Sequence, residues 1–294
     1  MKIKSSPGDI IFDIINHLFL TILALTCLYP ITHVLFASFS DAGRLVQHRG
    51  PLFAPLGFSV EGYKIVFQNP NIIQGYTNTL FYVFVGTLLN IFLTSMGGFV
   101  LSRRSFLWRK EVMMFFTFTM FFNGGIIPAY LNVRNIGLYN SRWAVILPVA
   151  VSTYNLIIMR TAMSAVPSSL EESAMLDGAN EFRIYWNIML PLTTSTLAVI
   201  TLMYAVSHWN AWFNASIYLR ERSKYPLQII LREILLLNDN RDAATAADNM
   251  DNTFLARELV KYCTIIVATL PILCFYPFIQ KYFVKGVMIG SVKE

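Results

Sequence analysis

Charge is what this sequence has least of. Asp, Glu, Lys and Arg make up 14% of its 294 residues, against about 25% in an ordinary soluble domain. A water-soluble chain of this length would form about two domains, each needing a charged surface, and the supply is too small. The same shortage excludes disorder, which requires low hydrophobicity with high charge. Here 55% of residues are hydrophobic and the mean hydropathy is +0.52. Cysteine is scarce as well. Cys27, Cys263 and Cys274 sit in apolar segments without C-x-x-C spacing, so neither a disulfide framework nor a zinc site is implied. The histidines His17, His33, His48 and His208 form no H-E-x-x-H pattern, and no metal site is expected. No G-x-x-x-x-G-K-[ST] phosphate loop occurs, so the chain cannot drive itself with ATP by that chemistry. A nucleophile elbow and a catalytic His/acid cluster are also missing, which argues against an enzyme. Strand alternation is absent, which argues against a β-barrel. The remaining solvent is lipid.

What is present are long apolar runs. A helix crosses the hydrocarbon core with about 20 residues, and six segments qualify: about 18–39, 80–101, 112–131, 143–159, 192–218 and 262–279. The first lies in an uncharged run of 27 residues from Ile14 to Ser40. That is longer than the 7–15 residues of a signal-peptide core, so a retained span is expected. Breakers such as Pro30, Gly124-Gly125, Pro148 and Pro271 are tolerated in spans when neighbouring helices satisfy the freed backbone. A packed bundle is therefore expected. With the N-terminus inside, the inner segments carry eleven Lys and Arg, the two short outer loops five, and the loop between the fifth and sixth segments seven, which count less because that loop is about 40 residues long. The positive-inside rule then puts both termini in the cytoplasm. The net charge of +6 belongs to these flanks. The basic residues form no stripe, so no nucleic-acid partner is expected.

One segment, 167–191, is too polar to span. Ser168 followed by Glu171 reads as a capping box. Acids at Glu171, Glu172 and Asp177 flank a short helix whose end is marked by Gly178, a residue suited to the left-handed conformation. Asn180 can cap a second helix running to Pro191. The expectation is a helix, a Gly turn and another helix, on the cytoplasmic side.

These residues carry a resemblance. Glu172-Ser173-Ala174, three residues, Gly178, nine residues and Ile188-Met189-Leu190-Pro191 resemble the E-A-A/G/I-x-L-P signature of binding-protein-dependent ABC importer permeases. Ser173 stands where Ala is usual. Asn123-Gly124-Gly125-Ile126-Ile127-Pro128, Tyr154-Asn155-Leu156-Ile157-Ile158-Met159-Arg160 and His208-Trp209-Asn210-Ala211-Trp212-Phe213-Asn214 resemble carbohydrate permeases of the maltose type. More narrowly, they are similar to the subgroup tied to lipo-oligosaccharide, aldouronate and alginate uptake. The tail Lys285–Lys293 looks like that subgroup's ending.

The resemblance implies an all-α integral membrane protein, one permease domain over 1–294, in a bacterial inner membrane. It implies a homologous second permease, a dimer of ATP-binding subunits, an extracytoplasmic solute-binding protein and an oligosaccharide substrate, moved by alternating access. ATP and magnesium would be bound by the partner ATPase and no cofactor by this chain. Residues Glu171, Glu172, Ser173, Ala174, Asp177, Gly178 and Ala179 would form the coupling helix and its turn. The loop 220–258, with Asn240, Arg241, Asp242 and Asp248, would touch the binding protein. The tail would reach the ATPases.

Polar groups inside apolar segments are costly in lipid and should face protein or a cavity. By that criterion Asn123, Asn155, His208, Asn210 and Asn214, with Trp209 and Trp212, are candidates for the substrate pathway, and Asn90 and Tyr204 accompany them. The same residue types also hold helices together, and both readings stay open here. A uronate-containing sugar is implied by the subgroup, but no residue pattern in the sequence reads a carboxylate. The rival class, a secondary transporter or channel, would need intramembrane acids for ion coupling. The six segments contain none.

Overall fold

The computed structural model describes residues 7–242 and 258–274. They are mostly helical, and the only extended pairing among them is an isolated bridge between Ser40 and Phe58. In chain order the helices are α1 (Pro7–Ser38), α2 (Ala42–Gln47), α3 (Glu61–Gln68) and α4 (Pro70–Ser102). Then come α5 (Arg109–Phe121), α6 (Ile126–Asn135), α7 (Trp143–Val149) and α8 (Thr153–Ser164). The remainder are α9 (Ser168–Leu176), α10 (Glu181–Leu192), α11 (Thr194–Trp209), α12 (Phe213–Tyr218), α13 (Leu227–Asp242) and α14 (258–274).

Among the described residues, α1 and α4 alone are single helices long and apolar enough to cross a membrane. Three further pairs of helices are long and apolar enough when each is taken together, and are bent at short breaks: α5 with α6 at 118°, α7 with α8 at 51°, and α10 with α11 at 84°. The expected segment 112–131 is thus sharply bent, at the Gly124-Gly125 breaker. Phe122 leaves the helix in extended conformation, and Gly125 then takes φ +88°. The Asn123 side chain accepts the Gly125 N–H at 2.9 Å and seals the break. The expected 143–159 segment bends where Ser152 caps α8 by accepting the Asn155 N–H. The expected 192–218 segment ends at Trp209, and α12 is separate. Of segment 262–279, residues up to 274 are helical and the last five lie outside the described residues.

The chain divides into two compact units, 1–69 with 233–269, and 70–232 with 270–294. In the first, α1 is exposed along almost its whole length and buries only Ala37 and Ser38 at its end. There the Ser38 hydroxyl meets Tyr63 OH at 2.7 Å, and the Cys263 thiol donates to the Ser38 carbonyl at 3.3 Å. Gly62 lets α3 lie against α14, since a Cβ would fall 2.6 Å from Cys263 Sγ.

The second unit is built around α4. Lipid offers no hydrophobic drive between helices, so small residues and hydrogen bonds must supply the association. The largest helix pairing is α4 against α8. At Gly98 a Cβ would come 2.9 Å from Met159 Cγ, so glycine sets how closely these helices approach. Ser95 bonds Tyr185 OH and Thr94 bonds Tyr204 OH, both at 2.7 Å. Around them Phe99, Met159, Met163, Ile184, Met189 and Ile200 form one buried cluster. The Tyr82–Gly86 stretch of α4 is a π-turn.

Candidate functional site

The polar segment 167–191 folds as a helix, a Gly turn and a helix. Gly178 adopts φ +77°. The Ala179 N–H returns to the Ala174 carbonyl at 2.9 Å and the Gly178 N–H to Met175 at 3.0 Å, the Schellman pattern that satisfies a helix end. Asn180 caps α10 by accepting the Arg183 N–H at 2.8 Å. The expected capping box does not form: Pro167 is the N-cap of α9 and no side chain caps it. Glu171 is drawn away by Arg103, which pairs with it and, at 2.7 Å, with Glu181. A guanidinium offers that carboxylate a full opposite charge, where a backbone amide offers only a dipole.

The loop has two faces. Ala174 and Ala179 pack inward on the buried cluster. Glu172, Ser173, Leu176, Asp177 and Gly178 are exposed, Leu176 at 89%. Space above Gly178 is open, with nothing within 4 Å of where a Cβ would stand. The small residues therefore split: the alanines serve the chain's own core and the glycine faces outward.

At the other end of α11 a cavity of about 160 Å³ is lined by Val145, Val149 and the 207–214 segment except Trp209. His208, Asn210, Trp212 and Asn214 all line it. His208 is fixed from behind. The Asn90 amide donates to the Val149 carbonyl at 2.6 Å, so its oxygen accepts from His208 Nε2 at 3.0 Å. An amide oxygen only accepts, which assigns the proton to Nε2. Gly86 makes room for the ring: a Cβ there would lie 2.5 Å from Nε2. The other sequence candidates do not reach this cavity. Trp209 is buried edge-on to Tyr76, Asn155 is buried in α8, and Asn123 seals the α5–α6 break. Tyr204 is committed to Thr94 and to the Ser152 N–H. Sequence reasoning missed Arg232, whose guanidinium carbon stands 3.8 Å from the centroid of the Trp212 ring. Nothing in the spacing of residues 212 and 232 points to that contact.

Of the loop 220–258, Asn240, Arg241 and Asp242 form the last residues of α13. Asp248 and the tail lie outside the described residues. The base of this loop is well anchored. Asn78 donates to the carbonyls of Ser223 (2.7 Å) and Tyr225 (3.0 Å) and accepts from Arg142 (3.0 Å). Asn140, at φ +57°, accepts the Arg220 and Glu221 N–H groups and donates to the Glu221 carboxylate.

The family described as binding-protein-dependent transport system inner membrane component matches residues 71–289. The chain belongs to this family. Among relatives of this permease, the polygalacturonan/rhamnogalacturonan transport system permease protein YtcP of Bacillus subtilis is 38% identical over 283 residues, covering 96% of this chain and 98% of its own. The arabinooligosaccharides transport system permease protein AraQ of the same organism is 26% identical and covers 99% of both. In solved structures, the permease matches a chain of a bacterial ABC transporter involved in the import of the acidic polysaccharide alginate. The TM-score is 0.87 and the identity 33%, over 96% of this chain and all of the other. It is therefore a carbohydrate ABC transporter permease, an inner membrane component of a binding-protein-dependent importer and not an enzyme.

Proposed function

We propose that this permease imports an acidic, uronate-containing oligosaccharide by alternating access, powered by separate ATPases that dock on segment 167–191. Six spans cross the membrane: α1, α4, the three bent pairs and the segment beginning in α14, with both termini cytoplasmic. The observation that carries the coupling role is the two-faced loop. Its inner side is tied to the core, while Glu172, Leu176, Asp177 and the open notch at Gly178 face outward. Acceptors around a notch suit a partner with basic residues and a closely approaching backbone. ATP and magnesium would be held by that partner. A homologous second permease would complete the pathway. The solute-binding protein would be met by the outer loop 220–258, including Asn240, Arg241, Asp242 and Asp248.

Within the pathway, His208, Asn210, Trp212 and Asn214 would contact sugar. The aromatic face of Trp212 suits stacking on a pyranose, and Arg232 beside it supplies a positive charge for a carboxylate. Relatives named for polygalacturonan and alginate transport support the acidic class.

The test is uptake into proteoliposomes holding the permease with its partner subunits and binding protein, using labelled trigalacturonate, an alginate trisaccharide and neutral maltotriose. ATP-dependent uptake of an acidic probe is expected. Arg232→Gln should lower acidic uptake by about tenfold, the cost of losing one charge-assisted contact of ~1.4 kcal/mol. Neutral sugars imported in preference by the wild type would overturn the acidic assignment. Gly178→Trp should fill the notch and abolish coupling to the ATPase; normal uptake by that variant would remove the docking role.

A further inference from the structure

A loop that receives a push must pass it to the spans. We infer that Arg103 is the positioning residue that does so, holding both helices of loop 167–191 to the end of α4 as one body. The inference rests on the coupling role proposed above.

Arg103 is the C-cap of α4 and only 8% exposed. Its Nη1 donates to Glu171 in the first turn of α9, and its Nη2 donates to Glu181, the first residue of α10, at 2.7 Å. The two carboxylates lie on opposite sides of the Gly178 turn. One guanidinium therefore bridges the turn from both sides. The group also lies over the Phe99 ring, 4.4 Å from its centroid, and Phe99 packs on Tyr185 of α10 at 5.3 Å. Nearby, Arg160 Nε donates to the Leu101 carbonyl at 3.2 Å, fixing the end of α4 to α8.

This arrangement needs a planar fork with two separated N–H groups, which Arg has and Lys lacks. It is a poor way to gain stability, because a buried ion pair often contributes less than an apolar replacement of the same size. The Arg103 Nε is left buried without a hydrogen-bond partner among the described residues, a further cost. What the pair does well is fix register, and register is what transmission requires. Labour is then divided between adjacent acids: Glu171 turns inward to Arg103, and Glu172 stays exposed for the partner.

The test uses the assembled transporter in proteoliposomes and reads trigalacturonate taken up per ATP hydrolysed. Arg103→Gln should leave ATP hydrolysis running while uptake per ATP falls about tenfold, the scale on which residues along a coupling route act. Arg103→Lys should recover part of the ratio. The charge-reversed swap Arg103→Glu with Glu171→Arg and Glu181→Arg, which keeps opposite charges on both sides of the turn, should recover more than Arg103→Glu alone. An unchanged ratio in Arg103→Gln overturns the inference, as does equal loss of hydrolysis and uptake with no recovery in the swap. If Arg103→Gln fails to assemble, the swap decides. A coupled swap supports transmission; a swap that is uncoupled or unassembled makes Arg103 a folding residue and overturns it. Gly178→Trp separates the two readings. Normal uptake there removes the coupling role of the loop itself. Its failure beside an unaffected Arg103→Gln removes only the role of Arg103.

Discussion

Two loops are fastened to α4, and by different chemistry. At its C-terminal end Arg103 holds segment 167–191 through two carboxylates. Near its N-terminal end Asn78 holds residues 223–225 through neutral bonds to two backbone carbonyls, helped by Thr79 accepting the Leu227 N–H at 2.9 Å. Tyr82 OH adds a bond to the Lys224 carbonyl at 2.8 Å. The amide bonds are directional and fix the chain atom by atom. The ion pairs join a charged fork to carboxylates on flexible stems, so attraction persists through small rotations. The Asn78 joint is rigid through directional neutral bonds, and the Arg103 joint holds two helices in register through charge.

The sharpest way to break the comparison is at the rigid joint. Asn78→Leu strips two carbonyls and Arg142 of their partner in a fully buried place. The expected loss is about 2–4 kcal/mol, read as a lower melting temperature of the detergent-purified permease. A change within error would mean that the loop is held elsewhere. At the Arg103 joint the two acids should differ. The Glu171 side chain is 17% exposed and that of Glu181 63%. Glu171→Gln should cost about 1–3 kcal/mol and Glu181→Gln under about 1 kcal/mol after solvent screening. Equal effects would show that burial does not rank them. The smallest effect belongs to Glu221, fully exposed beside the rigid joint. Hydrogen bonds from Lys224 first, then Asn140, hold its carboxyl below the usual glutamate range. A depressed pKa contributes stability above the ordinary glutamate value, which is lost as pH falls through the lowered one. A slight drop in melting temperature should therefore appear only in acid. Glu221→Gln should abolish that drop and change little at neutral pH.

The sequence was readable wherever the determinant was local. Gly178 and Asn180 announced a turn and a cap because the left-handed φ and the Asn side chain act within three residues. The Ser168–Glu171 capping box failed because its acid was claimed from 68 residues away, beyond any window of sequence. Trp209 and Trp212 look alike in a motif, yet one is buried against Tyr76 and the other lines a cavity. The break at Trp209 decides which, and its direction is set by packing. The apolar runs located the crossing segments but not their bends. Gly125 signalled a break at 122–125, while the 118° angle comes from how α5 and α6 pack. The contact of Arg232 with Trp212 was invisible because the two residues lie far apart in the chain.

The Asn90 network has a consequence for how the chain is made. Asn90 finds the Val149 carbonyl 59 residues later in the chain and His208 118 residues later. At about 5–20 residues per second, the carbonyl is synthesised roughly 3–12 s after Asn90 and the histidine roughly 6–24 s after it. During that interval α4 carries an unmated amide midway along an apolar helix, where lipid offers it no partner. Chain order, and not geometry alone, then sets when this amide gains its partners: the carbonyl with α7 and the imidazole with α11.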